Sequence, residues 1–315
     1  TTGVFNTALG ASALSSNTVG TFNVAVGTNS MLGNIGGYHN AALGHGTLQC
    51  STGNRNTAVG HSALSVNTAS DNTAVGALSL FCNTIGINNT AIGNQSLFSN
   101  TVSNNTAVGF CALRNNTTGT ANTAIGICAL VSNTTGICNT AVGAGALQAN
   151  TLGDSNVAVG RYALRANTTG TKNVAVGTLA LCVNTIGYCN TALGHGALRF
   201  NTTGIRNTAV GIYSLTSNTT GERNTALGTQ ALINNTAGNS NVGIGNNSLF
   251  SNTTGTRNIA IGVSAMFANT VGTSNVALGA YSLYCNTASS NTAVGYKSLF
   301  FNNFSICRCC NGIFK

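Results

Sequence analysis

Few residues in this chain are equipped for chemistry. Among 315 residues the carboxylates are Asp71, Asp154 and Glu222, the imidazoles are His39, His45, His61 and His195, and there are 11 cysteines. General acid–base work needs two such groups within reach of one substrate, and the three carboxylates fall in separate, distant segments. His45 and His61 occupy equivalent places in neighbouring repeats, but no Cys or carboxylate joins them to complete a metal set. Gly-x-x-Ala-Leu, which recurs throughout, is no phosphate loop, because no Lys-Ser/Thr follows it and no helix opens there. The expectation is a non-enzyme, with no catalytic, cofactor-binding or metal residues.

The cysteines Cys50, Cys82, Cys111, Cys128, Cys138, Cys182, Cys189 and Cys285 fall at variable positions of a repeat, so none is a required core residue. Cys111 and Cys128 share one position of adjacent repeats, within disulfide range in principle. Near the end, Cys307, Cys309 and Cys310 are candidates for inter-chain cross-links, against metal binding or plain reduced thiols. Asn116, Asn133, Asn167, Asn201, Asn218 and Asn252 each open an Asn-Thr-Thr sequon. The same asparagine column has a corner to build, which argues against glycosylation.

The element that positions all of these is a repeat. Asn-Thr-Ala-Val-Gly, first at 6–10 and last at 291–295, returns every 17 residues and occasionally every 16, in 18 copies. Numbered from its opening Asn, the unit reads Asn-Thr-Ala-Val-Gly-x-x-Ala-Leu-x-x-Asn-Thr-Thr-Gly-x-x. Helical repeats need roughly 30 residues for two helices and two turns. Seventeen suit one coil of a parallel β-solenoid. The predicted fold is all-β: a β-roll of about 18 coils over residues 1–303, with a Cys-rich tail or cap at 304–315. Successive coils would stack at about 4.8 Å, giving a rod on the order of 85 Å.

Position by position, the unit predicts its own geometry. Thr at position 2 exchanges with Val or Ile, and position 4 is always Val, Leu or Ile, so both are read as inward-facing. Position 3 is Ala in all copies but Gly243, and is expected to be a close-packing face (Ala58, Ala141, Ala158, Ala209, Ala226) for a second wall of the coil or for another chain. Position 5 is always Gly (Gly10, Gly60, Gly126, Gly160, Gly211, Gly295), as a corner with positive φ or close backbone approach requires. Leu at position 9 is expected to plug the core from a second strand or bend. The position 1 asparagines (Asn56, Asn72, Asn139, Asn156, Asn207, Asn224) and those at position 12 are expected to stack as two amide ladders. In the 16-residue copies the position 15 Gly often disappears, and Ser70, Ser103 and Ser289 are read as standing in its place, where positive φ is no longer needed.

Composition limits the role. Charged residues are 5% of the chain and the net charge is +9. The charges are spread along the chain without clustering, so nucleic-acid binding is not expected. No apolar run approaches the roughly 20 residues of a membrane span. The chain begins inside a repeat, as a processed or truncated product would. Its aromatic end segment, 300–306, is expected to cap the solenoid or dock on the open first coil of another copy, building a filament.

The repeat resembles the head repeats of trimeric autotransporter adhesins of the YadA type, and repeat tracts in phage and large-virus fibres. Thr57, Ala58, Val59 and Gly60 align with the adhesins' Asn-Ser-Val-Ala-Ile-Gly unit. The resemblance implies a β-roll and an extracellular, virion-surface or cell-surface location. Together these readings give a structural protein that self-associates into a fibre. The alternative is an adhesin or receptor-binding segment contacting a host glycan or matrix protein.

Overall fold

The computed structural model describes residues 2–302 and the backbone of 309–311. The chain is an all-β parallel β-solenoid with one three-residue strand per coil. It divides into two compact units, Thr1–Ser155 and Asn156–Lys315. Each holds nine of the 18 repeats. Within a unit, positions 2–4 of successive coils pair in parallel and in register, as Thr7 with Val24 and Thr208 with Thr225. The loss of one residue in a short coil leaves the register unchanged: Thr57 pairs with Thr73, and Val276 with Thr292.

The strand faces the opposite way from the sequence expectation. From Ala25 onward the position 3 alanines are buried, with Ala58, Ala141, Ala158, Ala209 and Ala226 all at 0% exposure. Positions 2 and 4 look outward or lie half-exposed: Val24 is 45%, Leu43 52% and Leu227 46% exposed. The reason is room. Opposite the strand stands the Leu of position 9, buried at 0% from Leu48 to Leu283. At Gly243, the one coil without the Ala, an added Cβ would sit 3.3 Å from Cγ and Cδ1 of Leu232 and 3.0 Å from the Ser248 hydroxyl. A methyl fills that gap and a branched side chain overfills it. The Ala column therefore packs against the second wall of its own coil. The β-branched residues still favour the strand, but they do so on its outer face.

The wall carrying Leu is a turn rather than a second strand. Leu sits in the left-handed region, with φ of 50 at Leu198 and 48 at Leu215. Its N–H donates to the position 8 carbonyl of the next coil, as Leu198 to Ser214 at 3.0 Å. At the buried position 8 the hydroxyls of Ser79, Ser96, Ser214 and Ser282 donate to the corner carbonyl of their own coil, as Ser214 to Gly211 at 3.0 Å, while those of Ser248 and Ser298 have no partner. Among the described residues a second-wall strand forms only at Cys285–Asn286, paired with Phe301–Asn302. Further on, 309–311 pair in parallel with Thr292–Val294. Part of the segment expected to be a tail thus continues the sheet, while the expected capping stretch at 303–306 lies outside the described residues. Among the described residues no helix is long and apolar enough to cross a membrane.

Candidate functional site

What the coils hold in common is a buried polar spine. The position 1 asparagines are 0–1% exposed from Asn23 to Asn291. At Asn207 the backbone N–H and the amide nitrogen Nδ2 both donate to Asn190 Oδ1, at 3.0 and 3.2 Å. The second Nδ2 hydrogen goes to the Gly221 carbonyl at 2.8 Å. Asn207 Oδ1 in turn accepts the N–H and Nδ2 of Asn224, at 3.0 and 3.2 Å. The pattern recurs at Asn139 against Asn122, at Asn156 beneath Asn173, and through the backbone at Asn56 and Asn72. The second ladder runs at position 12: Asn218 donates to Asn201 Oδ1 at 2.8 Å and to Gly221 O at 3.0 Å. Both ladders thus meet on one carbonyl per coil, at position 15, as on Gly221, and the Asn207 amide uses both of its donors and both acceptor sites.

The two glycine columns serve this spine differently. At position 5, φ lies between 120 and 137 from Gly10 to Gly295, with Gly60 at 120, Gly126 at 134 and Gly160 at 129. An added Cβ at Gly211 would also stand 2.5 Å from the Gly228 carbonyl oxygen and 2.6 Å from its carbon. Positive φ and close approach act together there. At position 15, φ lies outside the left-handed region, and only space demands Gly. At Gly221 a Cβ would fall 2.6 Å from the Gly238 carbonyl oxygen, crowding the Asn218 amide as well.

The short coils correct the sequence reading of that turn. The carbonyls bonded by the ladders there belong to Ala69, Val102 and Ala288, so these replace the Gly. Ser70, Ser103 and Ser289 come one place later. Their hydroxyls accept the backbone N–H of Asn54, Ile87 and Thr273 from the coil before, at 3.0, 3.0 and 2.9 Å. Longer coils use Asn or Asp for the same purpose, as Asn239 for Glu222 and Asp154 for Ile137. Ser51 is the one break in the second ladder, and its buried hydroxyl has no partner.

Sequence reasoning missed the left-handed residues at positions 7, 9 and 17, such as Tyr213 (φ 55), Leu215 (φ 48) and Arg223 (φ 55). Gly46, Gly145 and Gly196, all at position 7 with φ of 63–64, were the available signal for one of the three.

Outward columns carry the variable chemistry, and neighbouring rungs bring their side chains into contact. Phe5, Phe22 and His39 at position 17 stack face to face at 4.9 and 5.0 Å. Below them Arg55 and Asp71 form a two-pronged ion pair of 2.6 and 2.8 Å, and the guanidinium holds the Asp71 carboxyl below its usual range. Phe250, Phe267, Tyr284 and Phe300 stack in the position 10 column at 4.8, 5.1 and 4.9 Å. His45 and His61 stack at 5.3 Å. Among the described residues no third His, Cys, Asp or Glu joins them.

The eight cysteines between Cys50 and Cys285 carry free thiols, Cys111 and Cys128 included. Burial pushes the thiols of Cys82, Cys111 and Cys182 up. Cys309 and Cys310 lie in the terminal strand, and Cys307 lies outside the described residues. The sequon asparagines, from Asn116 to Asn252, are 0% exposed. In the folded coil their amides are closed to a glycosyl donor.

This geometry belongs to a scaffold with a fixed polar interior and a freely written surface. No protein-family model and no curated protein matches the chain.

Proposed function

We propose that this protein is a structural β-solenoid whose copies associate laterally through the outer face of the strand sheet, forming an extracellular or virion-surface fibre. One observation carries the reading. Positions 2 and 4 of every coil are Thr, Val, Ile, Leu or, once, Ala, and no charged residue interrupts them. They lie in register, so each unit presents two straight uncharged columns with Leu9, Val24, Leu43, Leu193, Leu227 and Ile261 exposed at 40–67%. The position 4 column is apolar throughout and the position 2 column is Thr in most coils; an exposed apolar column of this length marks a contact face. Its complement in shape and spacing is the same face of another copy, as in the dry interfaces of stacked sheets. Three residues of width by nine coils is about 430 Å² per unit. That is near half the roughly 800 Å² per partner of a stable dimer, so association through one unit is weak and strengthens as more coils engage. The resemblance to adhesin heads and fibre repeats, which assemble side by side, points the same way.

The test is Leu193→Glu with Leu227→Glu, two exposed substitutions that leave Ala and Leu of the core untouched. Sedimentation and negative-stain microscopy of the unmodified protein should show concentration-dependent side-by-side assemblies, and the variant should sediment as a monomer. Unmodified protein that stays monomeric at high concentration refutes the proposal, as does a variant that assembles equally well.

A further inference from the structure

The charges of this chain, scattered in sequence, are gathered by the fold. Residues 2–155 hold two basic side chains, Arg55 and Arg114, against Asp71 and Asp154. Residues 156–302 hold eight basic side chains against the one carboxylate of Glu222. Four of the eight, Lys172, Arg206, Arg223 and Arg257, occupy position 17 of coils in the same unit and are exposed. This overturns the expectation that the charges do not cluster.

The rungs between and beyond them hold Cys189, Ser240 and Ser274, all small and exposed. From Cys189 to Ser274 each rung is held the same way. Its φ is 55–57, and its N–H donates to the position 16 carbonyl of the coil before, as Arg206 to Tyr188 and Arg223 to Ile205 at 3.1 and 3.0 Å. Rungs rise by about 4.8 Å. Arg206 and Arg223 are therefore one rung apart, and Lys172 and Arg257 flank them at two rungs each, about 9.6 Å. The equivalent column of the first unit shows what adjacent rungs do with opposite charges, since Arg55 and Asp71 clasp each other there. Arg206 and Arg223 are like charges in that arrangement. Among the described residues neither they nor Lys172 and Arg257 have an ion pair, the only one being Arg55–Asp71. Like charges on neighbouring strands repel, and an anion lying along the column relieves them.

We propose that Lys172, Arg206, Arg223 and Arg257 form a binding stripe for a linear anionic polysaccharide, which lies along the column with its anionic groups on successive cations. Bidentate guanidinium contacts suit sulfate and carboxylate groups alike. The neighbouring position 16 column adds the hydroxyls of Thr171 and Thr256 for sugar contacts. A single-stranded nucleic acid needs aromatic faces for its bases. The position 16 column beside the stripe holds one exposed ring, Tyr188, too few for successive bases, and the Phe250–Phe267–Tyr284–Phe300 rings of this unit spend their faces on each other, so the glycan is the better fit. The stripe is independent of lateral assembly, since it uses none of the outer-face residues at positions 2 and 4.

The test uses the full chain and a heparin-derived oligosaccharide as probe, by calorimetry at about 0.15 M salt, with oligo-dT of equal charge as competitor. The column variant is Lys172→Gln, Arg206→Gln, Arg223→Gln and Arg257→Gln. The charge-matched control is Arg161→Gln, Arg165→Gln, Arg199→Gln and Lys297→Gln, which removes the other four cations of residues 156–302. The pair Arg206→Gln with Arg223→Gln serves if either quadruple variant unfolds. Expected are binding by the unmodified protein, at least a tenfold loss in the column variant or the pair, and at most a twofold loss in the control. Absent binding by the unmodified protein, equal losses in column and control variants, or oligo-dT binding as tightly as the oligosaccharide each overturn the proposal.

Discussion

Changing Asn207 to Asp probes the buried spine with a nearly isosteric substitution. It exchanges the Nδ2 amide for an oxygen and leaves the Oδ1 acceptor in place. That new oxygen would lie 2.8 Å from the Gly221 carbonyl and 3.2 Å from Asn190 Oδ1, both acceptors. Protonated, the acid can satisfy one of the two and loses one hydrogen bond, about 1 kcal/mol. Ionised, it sets a charge in a site with 0% exposure and against two lone pairs. A rise of ~3 in its pKa is the ordinary consequence of such burial, and at ~1.4 kcal/mol for each step of one in pKa this is about 4 kcal/mol at neutral pH. The sign is fixed by linkage. The folded-state pKa lies above the unfolded one near 3.9, so the penalty is small below that pH and grows as pH rises towards the folded value. Asn207→Ala instead strands the Asn224 N–H and one Nδ2 hydrogen, costing about 3 kcal/mol with no pH dependence. Repeat arrays unfold without strict two-state behaviour, so the primary readout is hydrogen exchange at the Asn224 amide, at pH 4 and pH 7.5, with urea unfolding followed by circular dichroism beside it. An Asp variant as protected as the unmodified protein at pH 7.5, or one whose loss is the same at both pH values, refutes the donor role of Nδ2.

Other outcomes follow from the same geometry. Gly211→Ala forces a Cβ onto the Gly228 backbone at positive φ and should lower stability by roughly 3 kcal/mol or more, whereas Gly46→Ala, with no atom nearer than 3.4 Å, should lose only about 1 kcal/mol, both read from thermal unfolding. Ser51→Asn should stabilise by about 1 kcal/mol, because it supplies the missing ladder amide in place of an unpartnered hydroxyl. In alkylation followed by mass spectrometry at pH 8, the exposed Cys50, Cys138 and Cys189 should react well before Cys182, whose buried thiol is pushed up, and denaturant should abolish the difference.

The repeat length, the glycine corners and both asparagine ladders were legible because each rests on a residue type that the copies keep, Ser51 being the one exception in the ladders. Only Gly fits where an added Cβ would fall 2.5 Å from the next coil's carbonyl oxygen, as at Gly211, and only an amide donates twice and accepts twice in line. The two faces of the strand were not legible in the same way. Exchange among Thr, Val and Ile signals a strand, and in most sheets the buried side of a strand carries those residues. Here the coil is so thin that the opposing Leu leaves room for a methyl alone, so the invariant Ala was the interior. Left-handed backbone at Leu215 leaves no mark in composition, since Leu has no preference for that region. The cation stripe was hidden for another reason. Lys172, Arg206, Arg223 and Arg257 are far apart in sequence and become neighbours only when position 17 is laid out as a column.

The left-handed residues bear on how the chain reaches this state. Three non-glycine positions in a typical coil adopt a conformation that costs an isolated residue roughly 1–2 kcal/mol. Their compensation comes from bonds to the next coil or the one before, such as Arg223 to Ile205 and Leu215 to Ala231. A single coil has no such neighbour. Formation of the first stacked pair is therefore the uphill event, and each later coil adds to an edge already shaped to receive it. Growth of this kind resembles crystallisation more than collapse: a slow nucleus, fast propagation along one axis, and unravelling that begins at an exposed edge rather than from the middle.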